Sequence, residues 1–358
     1  MTLATWRWAV RIAASLLLFL SAWIVVPAPT MALLALGVGV PELSPVLLVV
    51  TLVAGVIAWR TGATGALVLC AIAATLFAVP IAQYPRGAPL SVRCLLLGVP
   101  APDSRVTRGV QFAAPQGVPL TVDIYQPRAT GRVPTVVQIY GGAWQRGVPG
   151  DDEVFARHVA SQGYVVFAID YRHAPTWKWP AQQEDVRAAL EWIRAHAPEY
   201  EADPSKLAIV GRSAGAQLAM VTALQDRAVS AVVSYYGPVN LARGWREPPR
   251  PDPIGSRGVL EAYVGGTPDQ VPDRYREASP ITYVSATAPR SLLIYGARDH
   301  VVQARFGREL HEALLAAGAR SELVVLPWAE HAFDIVTGGL GGQLSLFHTE
   351  RFLADVFR

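Results

Sequence analysis

Hydrophobic and polar positions divide the chain into two unlike parts. Between residues 1 and 85 only four side chains are charged, and three mostly apolar stretches lie at about 8–26, 43–59 and 64–83. Each is close to the roughly 20 residues that an α-helix needs to cross the hydrocarbon core of a bilayer. The pattern predicts a membrane anchor over 1–85 with about three transmembrane helices, the middle one being interrupted at its start by Pro41 and Pro45.

Two other interpretations of this region are open. Arg7 and Arg11 precede the first apolar stretch, as they would in a cleavable signal peptide. Residues 31–40 could form a re-entrant or interfacial segment. Because Lys and Arg favour the cytoplasmic side of a membrane, Arg7, Arg11 and Arg60 predict a cytoplasmic N-terminus. With three spans, everything after Tyr84 is then expected on the extracytoplasmic side of the cell membrane.

After a linker at 86–103, short apolar runs alternate with amphipathic stretches. The runs lie at 106–113, 120–125, 134–140, 164–170, 206–211, 229–236, 291–296 and 321–326. Many are continuously apolar, which is typical of strands buried on both faces of a sheet. Apolar residues at helical spacing separate several of them. The alternation predicts a mostly parallel α/β domain over 104–358, with the run at 120–125 as an antiparallel edge strand.

A proline-rich insertion interrupts this alternation at about 237–280. Its position between two predicted strands indicates a cap over the strand ends. For 245–257 alone, a disordered surface loop is an equal alternative. The net charge is only +3 and no basic run occurs, which argues against a nucleic-acid partner. Cys70 and Cys94 lie in or near the predicted membrane part, so they say little about the redox environment.

The most informative run is L-A-I-V-G-R-S-A-G-A-Q at 207–217, an apolar strand that leads through G-x-S-x-G into a helix. A strand that turns sharply into a helix at a serine exposes that side chain in a cleft. Gly211 and Gly215 remove side chains that would collide in so tight a turn. The sequence therefore predicts Ser213 as a covalent nucleophile.

A serine hydroxyl needs a base within hydrogen-bond reach, and the base needs an orienting acid. In this arrangement the acid and then the histidine follow the serine along the chain. His331 comes just after the last predicted strand and is the predicted base. Asp299 follows the preceding strand and is the predicted acid, its other interpretation being a helix N-cap. His300 is interpreted as incidental, and His311 as a surface residue of a helix.

The predicted strand at 134–140 leads into Gly141-Gly142-Ala143-Trp144. Small residues in such a loop let backbone N–H groups point at a developing negative charge. The predicted oxyanion-hole donors are the N–H groups of Gly142, Ala143 and Ala214. A simple Gly-Gly turn would explain the glycines but not their position after the third strand.

Several further motifs occur in a fixed order. They are V-D-I-Y-Q-P at 122–127, Y-G-G-A-W at 140–144, D-Y-R-H-A-P at 170–175, W-P-A-Q-Q-E-D-V at 179–186, S-P-I-T-Y-V at 279–284, G-A-R-D-H-V-V at 296–302 and E-H-A-F at 330–333. Together they resemble α/β-hydrolases of the carboxylesterase branch that contains hormone-sensitive-lipase-like and feruloyl-esterase-like enzymes. The resemblance covers about 104–358, and it departs at Tyr140, where that family often has histidine. The N-terminal part resembles the membrane anchors of some bacterial esterases.

The resemblance implies hydrolysis of small-molecule or lipid esters through an acyl-enzyme, without a metal or an organic cofactor. An amide hydrolase of the same fold, such as a formamidase or a peptidase, is an alternative. A non-catalytic membrane-anchored binding module is a further one. Trp144, Trp177 and Trp179 either line the cleft or are ordinary packing residues.

Overall fold

A computed structural model describes residues 2–101, 103–128 and 131–358 of the chain. The N-terminal part consists of four helices: α1 (Leu3–Ala22), α2 (Met31–Glu42), α3 (Ser44–Thr61) and α4 (Thr64–Gln83). Helices α1, α3 and α4 pack against one another, and each is long and apolar enough to cross a membrane. Helix α1 ends earlier than the stretch at 8–26 indicates, because the chain turns ahead of Pro27 and Pro29.

Helix α2 is shorter than these three helices and has further packing partners. It covers the residues 31–40 that could form an interfacial segment, and it packs against the C-terminal part of the chain as well as against α3 and α4. The predicted linker at 86–103 contains a short helix, α5 (Val92–Leu97), while residue 102 of the linker lies outside the described ranges.

The rest of the chain is built on one eight-stranded sheet. Its strands are β1 (Arg105–Ala113), β2 (Leu120–Gln126), β3 (Val133–Ile139), β4 (Val165–Ile169), β5 (Ala202–Arg212), β6 (Ala231–Tyr235), β7 (Arg290–Gly296) and β8 (Ser321–Leu326). Their spatial order is β1-β2-β4-β3-β5-β6-β7-β8, and β2 pairs antiparallel with both neighbours while all later strands are parallel. The antiparallel direction of the strand at 120–125 is confirmed. Its edge position is wrong, because β1 pairs with its outer side.

Helices connect the strands and bury both faces of the central ones, as expected for continuously apolar runs. They are α6 (Glu153–Ser161), α7 (Ala181–His196), α8 (Ala214–Gln225), α9 (Leu241–Arg246), α10 (Ser256–Val264), α11 (Pro272–Glu277), α12 (Ala304–Ala316) and α13 (Leu340–Val356). The predicted α/β-hydrolase fold class is confirmed. The insertion at 237–280 contains α9, α10 and α11 between β6 and β7.

Because β3, β5, β7 and β8 are parallel, their carboxyl ends meet at one edge of the sheet. The Gly-Gly loop follows β3, Ser213 follows β5, Asp299 follows β7 and His331 follows β8. The topology alone therefore brings all the predicted site residues to the same edge.

Candidate active site

Ser213 lies on a strained turn between β5 and α8. Its backbone has φ 50° and ψ −118°, a conformation that L-residues rarely adopt. The turn is possible because two glycines flank the serine. A Cβ at Gly211 would lie 2.4 Å from the carbonyl oxygen of Gly215, and a Cβ at Gly215 would lie 2.3 Å from that of Ile139. The sharp turn expected from G-x-S-x-G is therefore present.

Ser213, His331 and Asp299 form a continuous chain of hydrogen bonds. The Oγ of Ser213 is 3.0 Å from Nε2 of His331, and Nδ1 of His331 is 2.8 Å from Oδ2 of Asp299. The other oxygen of Asp299 accepts hydrogen bonds from the backbone N–H groups of Val301 and Val302, at 2.8 and 2.6 Å. Asp299 thus has both suggested arrangements at once: it caps the following turn and contacts the histidine.

The surroundings of His331 favour its protonated form. Burial alone would lower the pKa of His331, but the Asp299 carboxylate and the hydrogen bond to it outweigh burial and raise this pKa above its ordinary value. A carboxylate this close stabilises a positive imidazolium. The imidazole can therefore accept a proton from Ser213 and hold the resulting charge.

The Gly-Gly loop lies beside Ser213. A Cβ at Gly141 would be 3.3 Å from Cβ of Ser213, so the loop passes within contact distance of the serine. Gly142 and Ala143 both have positive φ values, 117° and 56°, which turn the backbone away from the direction of β3. Ala214 is the first residue of α8, and N–H groups at that position have no acceptor within their own helix.

Gln217 of α8 connects the loop to the insertion. Its Oε1 accepts hydrogen bonds from Nε1 of Trp144, at 2.9 Å, and from the hydroxyl of Tyr263, at 3.0 Å. The rings of Trp144 and Tyr263 stack with their centroids 4.0 Å apart. The Nε2 of Gln217 donates to the carbonyl of Ala278 at 2.6 Å. No local pattern indicates this role for Gln217, because its partners are distant in the chain.

Tyr140 stabilises the start of the loop. Its hydroxyl donates to Oδ1 of Asp170 at 2.5 Å and lies 2.9 Å from Nε2 of His173. Its ring stacks on that of Tyr171. All three partners belong to the D-Y-R-H-A-P motif. Tyr140 is therefore a buried support between two motifs, and its hydroxyl is directed at Asp170.

A second set of buried charges surrounds the histidine loop. Nε of Arg212 donates to Asp334 at 2.5 Å, and Asp334 also accepts a hydrogen bond from the hydroxyl of Tyr236. Glu330 accepts from the backbone N–H groups of His300 and His331, at 2.6 and 2.9 Å. These contacts hold the loop on both sides of the histidine, and sequence patterns did not indicate them.

The remaining candidates have varied surroundings. The Nδ1 of His300 pairs with Glu330 at 2.5 Å, and the interpretation of His300 as incidental rather than catalytic stays a prediction. His311 is half-buried, and its Nδ1 lies 2.9 Å from the hydroxyl of Ser321. Trp144 lines a cavity beside Ser213, as one of the two interpretations expected. Trp179 is buried, and the Trp177 ring lies under the guanidinium of Arg172.

Two cavities adjoin Ser213. The first, which we name the cap-side cavity, has a volume of about 630 Å³ including space open to solvent. Its wall is mainly apolar and comes largely from the insertion: it includes Leu241, Pro249, Ile254, Val259, Leu260 and, from α12, Phe306. The segment 245–257 thus contributes to the wall through Glu247, Pro249 and Ile254.

The second cavity, the α2-side cavity, has a volume of about 1490 Å³ including space open to solvent. Its wall contains His331, Gly142 and Ala143 together with residues of the N-terminal part. Ser213 therefore lies where a mainly apolar cavity and a larger mixed one meet.

The chain is similar to several known proteins. The BD-FAE family matches residues 122–314, which is more than half of the chain. The chain belongs to the BD-FAE family. This match confirms the resemblance of the chain to carboxylesterases of the α/β-hydrolase fold. Proteins similar to the chain are also named as esterases.

Two curated relatives come from Mycobacterium tuberculosis. A probable carboxylic ester hydrolase, LipM, is 33% identical over 64% of this chain and 56% of its own length. Esterase LipC is 33% identical over 60% of this chain and 56% of its own length. The chain thus spans about half the length of the curated relatives it matches.

Solved structures agree on the fold. An esterase from the hyperthermophilic archaeon Pyrobaculum calidifontis is 27% identical, with a TM-score of 0.64, over 71% of this chain and 86% of its own. A bacterial heroin esterase has the same TM-score at 24% identity, over 75% of this chain and 89% of its own, and shows the fold alone.

Proposed function

We propose that this chain is a membrane-anchored serine esterase that hydrolyses carboxylic esters through an acyl-enzyme. The observation that carries the proposal is the hydrogen-bonded series Ser213, His331 and Asp299 beside the loop at Gly142. The names of the relatives, which are carboxylic ester hydrolases and esterases, support the reaction class.

Acylation follows from the positions of these groups. The Oγ of Ser213 attacks the ester carbonyl while Nε2 of His331 accepts its proton. The N–H groups of Gly142, Ala143 and Ala214 stabilise the negative oxygen of the tetrahedral intermediate. The bond from carbon to the alkoxy oxygen then breaks, and His331 donates its proton to the leaving alcohol. Asp299 keeps the imidazole oriented and stabilises it while it is charged.

Deacylation repeats these steps with water. His331 removes a proton from a water molecule, which attacks the acyl-enzyme carbonyl. The bond to Oγ of Ser213 breaks, the serine regains its proton from His331, and the carboxylic acid is released. Every proton that leaves one group is accepted by another, so no cofactor is required.

The two cavities suggest where the parts of the ester lie. The cap-side cavity is mainly apolar and suits an acyl chain. The α2-side cavity contains His331, the group that protonates the leaving alcohol, and suits the alcohol portion. The insertion at 237–280 would then determine the acyl length that is accepted.

Membrane anchoring is supported by the surface of the N-terminal helices. Only 17%, 22% and 28% of the apolar windows of α1, α3 and α4 are buried. Helices of a water-soluble core would bury most of such a surface, whereas lipid-facing helices expose it. Arg7 also donates to the carbonyl of Thr61 at 2.6 Å, so the beginning of α1 lies beside the end of α3. Arg7 and Arg60 are therefore at the same end of the bundle.

The reaction is tested with the full-length protein in detergent and p-nitrophenyl esters from acetyl to palmitoyl. Ser213→Ala is expected to lower kcat by at least about 10³-fold, because the nucleophile is lost. Ser161→Ala is the matched control, since Ser161 is an exposed serine that contacts only the carbonyl of His158 in its own helix. A fluorophosphonate should phosphonylate Oγ of Ser213 with loss of fluoride, which adds the mass of the reagent less that of HF.

Hydrolysis that survives Ser213→Ala, or no hydrolysis of any ester by a folded protein, would contradict the proposal. Topology has a separate test. Protease added to intact cells should remove the domain after Tyr84, whereas a protected domain would place it in the cytoplasm.

A further inference from the structure

Helix α2 forms part of the wall of the candidate active site. Met31 and Leu34, from its first turn, line the α2-side cavity together with Ser213 and His331. Neither residue belongs to the sheet domain. A segment of the N-terminal part therefore lies where the alcohol portion of a substrate would be bound.

This cavity has two chemically different walls. The apolar lining residues include Met31, Leu34 and Ile335, and we call them the apolar side. The charged lining residues are Arg146, Asp151, Asp152 and Arg212, and we call them the charged side. A simple alkyl alcohol would leave the charged side unused, and a fully polar one would leave the apolar side exposed to water. The walls together match an alcohol portion that is itself amphiphilic.

The position of α2 is fixed by buried contacts. Glu42, at its end, is fully buried and accepts hydrogen bonds from Nε1 of Trp328, at 3.1 Å, and from the backbone N–H of Gly341. The fit is close, because a Cβ at Gly339 would lie 2.7 Å from Cβ of Glu42. Trp328 and Gly341 lie on either side of His331 in the chain. The wall is therefore joined directly to the histidine loop.

Exposed apolar side chains lie in the wall of the α2-side cavity and just after α1. Val25, Met31 and Ile335 are 50%, 48% and 72% exposed. Val25 follows α1, and its carbonyl accepts a hydrogen bond from Arg298 of the sheet domain at 2.8 Å. The end of α1 thus contacts the sheet domain at Arg298, next to Asp299 in the chain, whereas Arg7 and Thr61 meet at the other end of the bundle. A bundle that spans a bilayer would put the mouth of the α2-side cavity at the membrane surface.

We infer that the first turn of α2 forms part of the alcohol-binding subsite of this enzyme, and that the subsite takes amphiphilic esters resident in the membrane. The inference rests on the proposed esterase function. The apolar part of the alcohol would lie against Met31 and Leu34, and its polar group against the charged wall. The ester would reach Ser213 from the membrane surface without crossing bulk water.

The test varies the alcohol and keeps the acyl group constant. Butyrate esters of alcohols from methyl to hexadecyl are supplied in phosphatidylcholine vesicles to the full-length protein, and released butyrate is measured. We expect kcat/KM to rise at least about tenfold with alcohol length, since each buried methylene contributes roughly 0.8 kcal/mol. Met31→Asp and Leu34→Ala should each reduce that rise about tenfold.

Two controls lie on the same helix. Ala35→Asp adds a charge at an exposed position that does not line the cavity, and Leu36→Ala shortens a side chain that packs against the N-terminal helices. Met31 is exposed, so Met31→Asp does not depend on repacking a core. A flat alcohol profile in the wild type, or equal profiles in the lining variants and the controls, would overturn the subsite. If the wild type hydrolyses none of these esters, the result would instead count against the proposed function.

Discussion

Glu42 joins the N-terminal helices to the loop that carries His331. Its removal should therefore lower both the stability of the protein and its catalytic rate. In Glu42→Ala, the indole N–H of Trp328 and the N–H of Gly341 lose their acceptor while they stay buried. An unsatisfied buried donor costs about 1–3 kcal/mol, which gives a loss of about 2–6 kcal/mol in the free energy of unfolding. We expect kcat to fall more than KM rises, because the displaced loop carries the base.

Thermal unfolding of the full-length protein in one detergent, followed by tryptophan fluorescence, measures this loss. Thr51→Val is the matched control, since Thr51 is equally buried and its hydroxyl contacts the carbonyl of Leu47 within α3. Glu42→Gln keeps the shape and one acceptor and should lose less than Glu42→Ala. A Glu42→Ala protein within about 0.5 kcal/mol of the wild type, which is the range of ordinary surface substitutions, would refute the reasoning.

The same residue predicts a dependence on pH. Burial raises the pKa of Glu42 to about 8, so the folded protein holds a proton that the unfolded chain releases near its ordinary pKa. Stability from this group is therefore complete at low pH and falls as pH rises from about 5 towards 8. Glu42→Gln has no such proton, and the difference in unfolding temperature between the two proteins should narrow over that range.

The remaining predictions concern catalysis. Asp299→Asn should lower kcat by about 10⁴-fold with KM little changed, because the imidazole loses its orienting charge; a loss below tenfold would remove Asp299 from the triad. Since the pKa of His331 is raised and the base must be neutral, kcat/KM should rise with pH through a midpoint above about 6.5; a midpoint well below 6 would contradict the Asp299 contact. Val259→Trp should fill the cap-side cavity and shift the preferred acyl chain from long to short in the p-nitrophenyl series, and an unchanged profile would exclude that cavity as the acyl site.

The sequence predicted those features of the fold that depend on residues close together in the chain. Apolar runs located the eight strands of the described sheet within a few residues. The runs of the central strands are continuous, because buried strands need apolar side chains on both faces. The glycines at 211 and 215 predicted a sharp turn that the backbone at Ser213 has. Chain order placed Asp299 and His331 at the same sheet edge as Ser213. Their catalytic roles stay predictions until the variants are measured.

The sequence could not predict contacts between distant segments. The strand at 120–125 was expected at an edge because nothing local shows that β1 pairs beyond it. Gln217 has no periodic signal, since its partners Trp144 and Ala278 are brought together only by the fold. Glu42 stood out as the one acidic residue in an apolar region, but its partners lie at the far end of the chain.

The hydrogen bond between Glu42 and Gly341 also sets an order on biosynthesis, because 299 positions separate its two residues. At roughly 5–20 residues per second, the ribosome completes that interval in about 15–60 s. During this time α2 is already made, but the last part of the histidine loop and α13 are not. A nascent chain therefore has no complete cavity. The proposed hydrolysis would begin only after the C-terminal segment has docked on α2, and the precursor would not act on esters during its own synthesis.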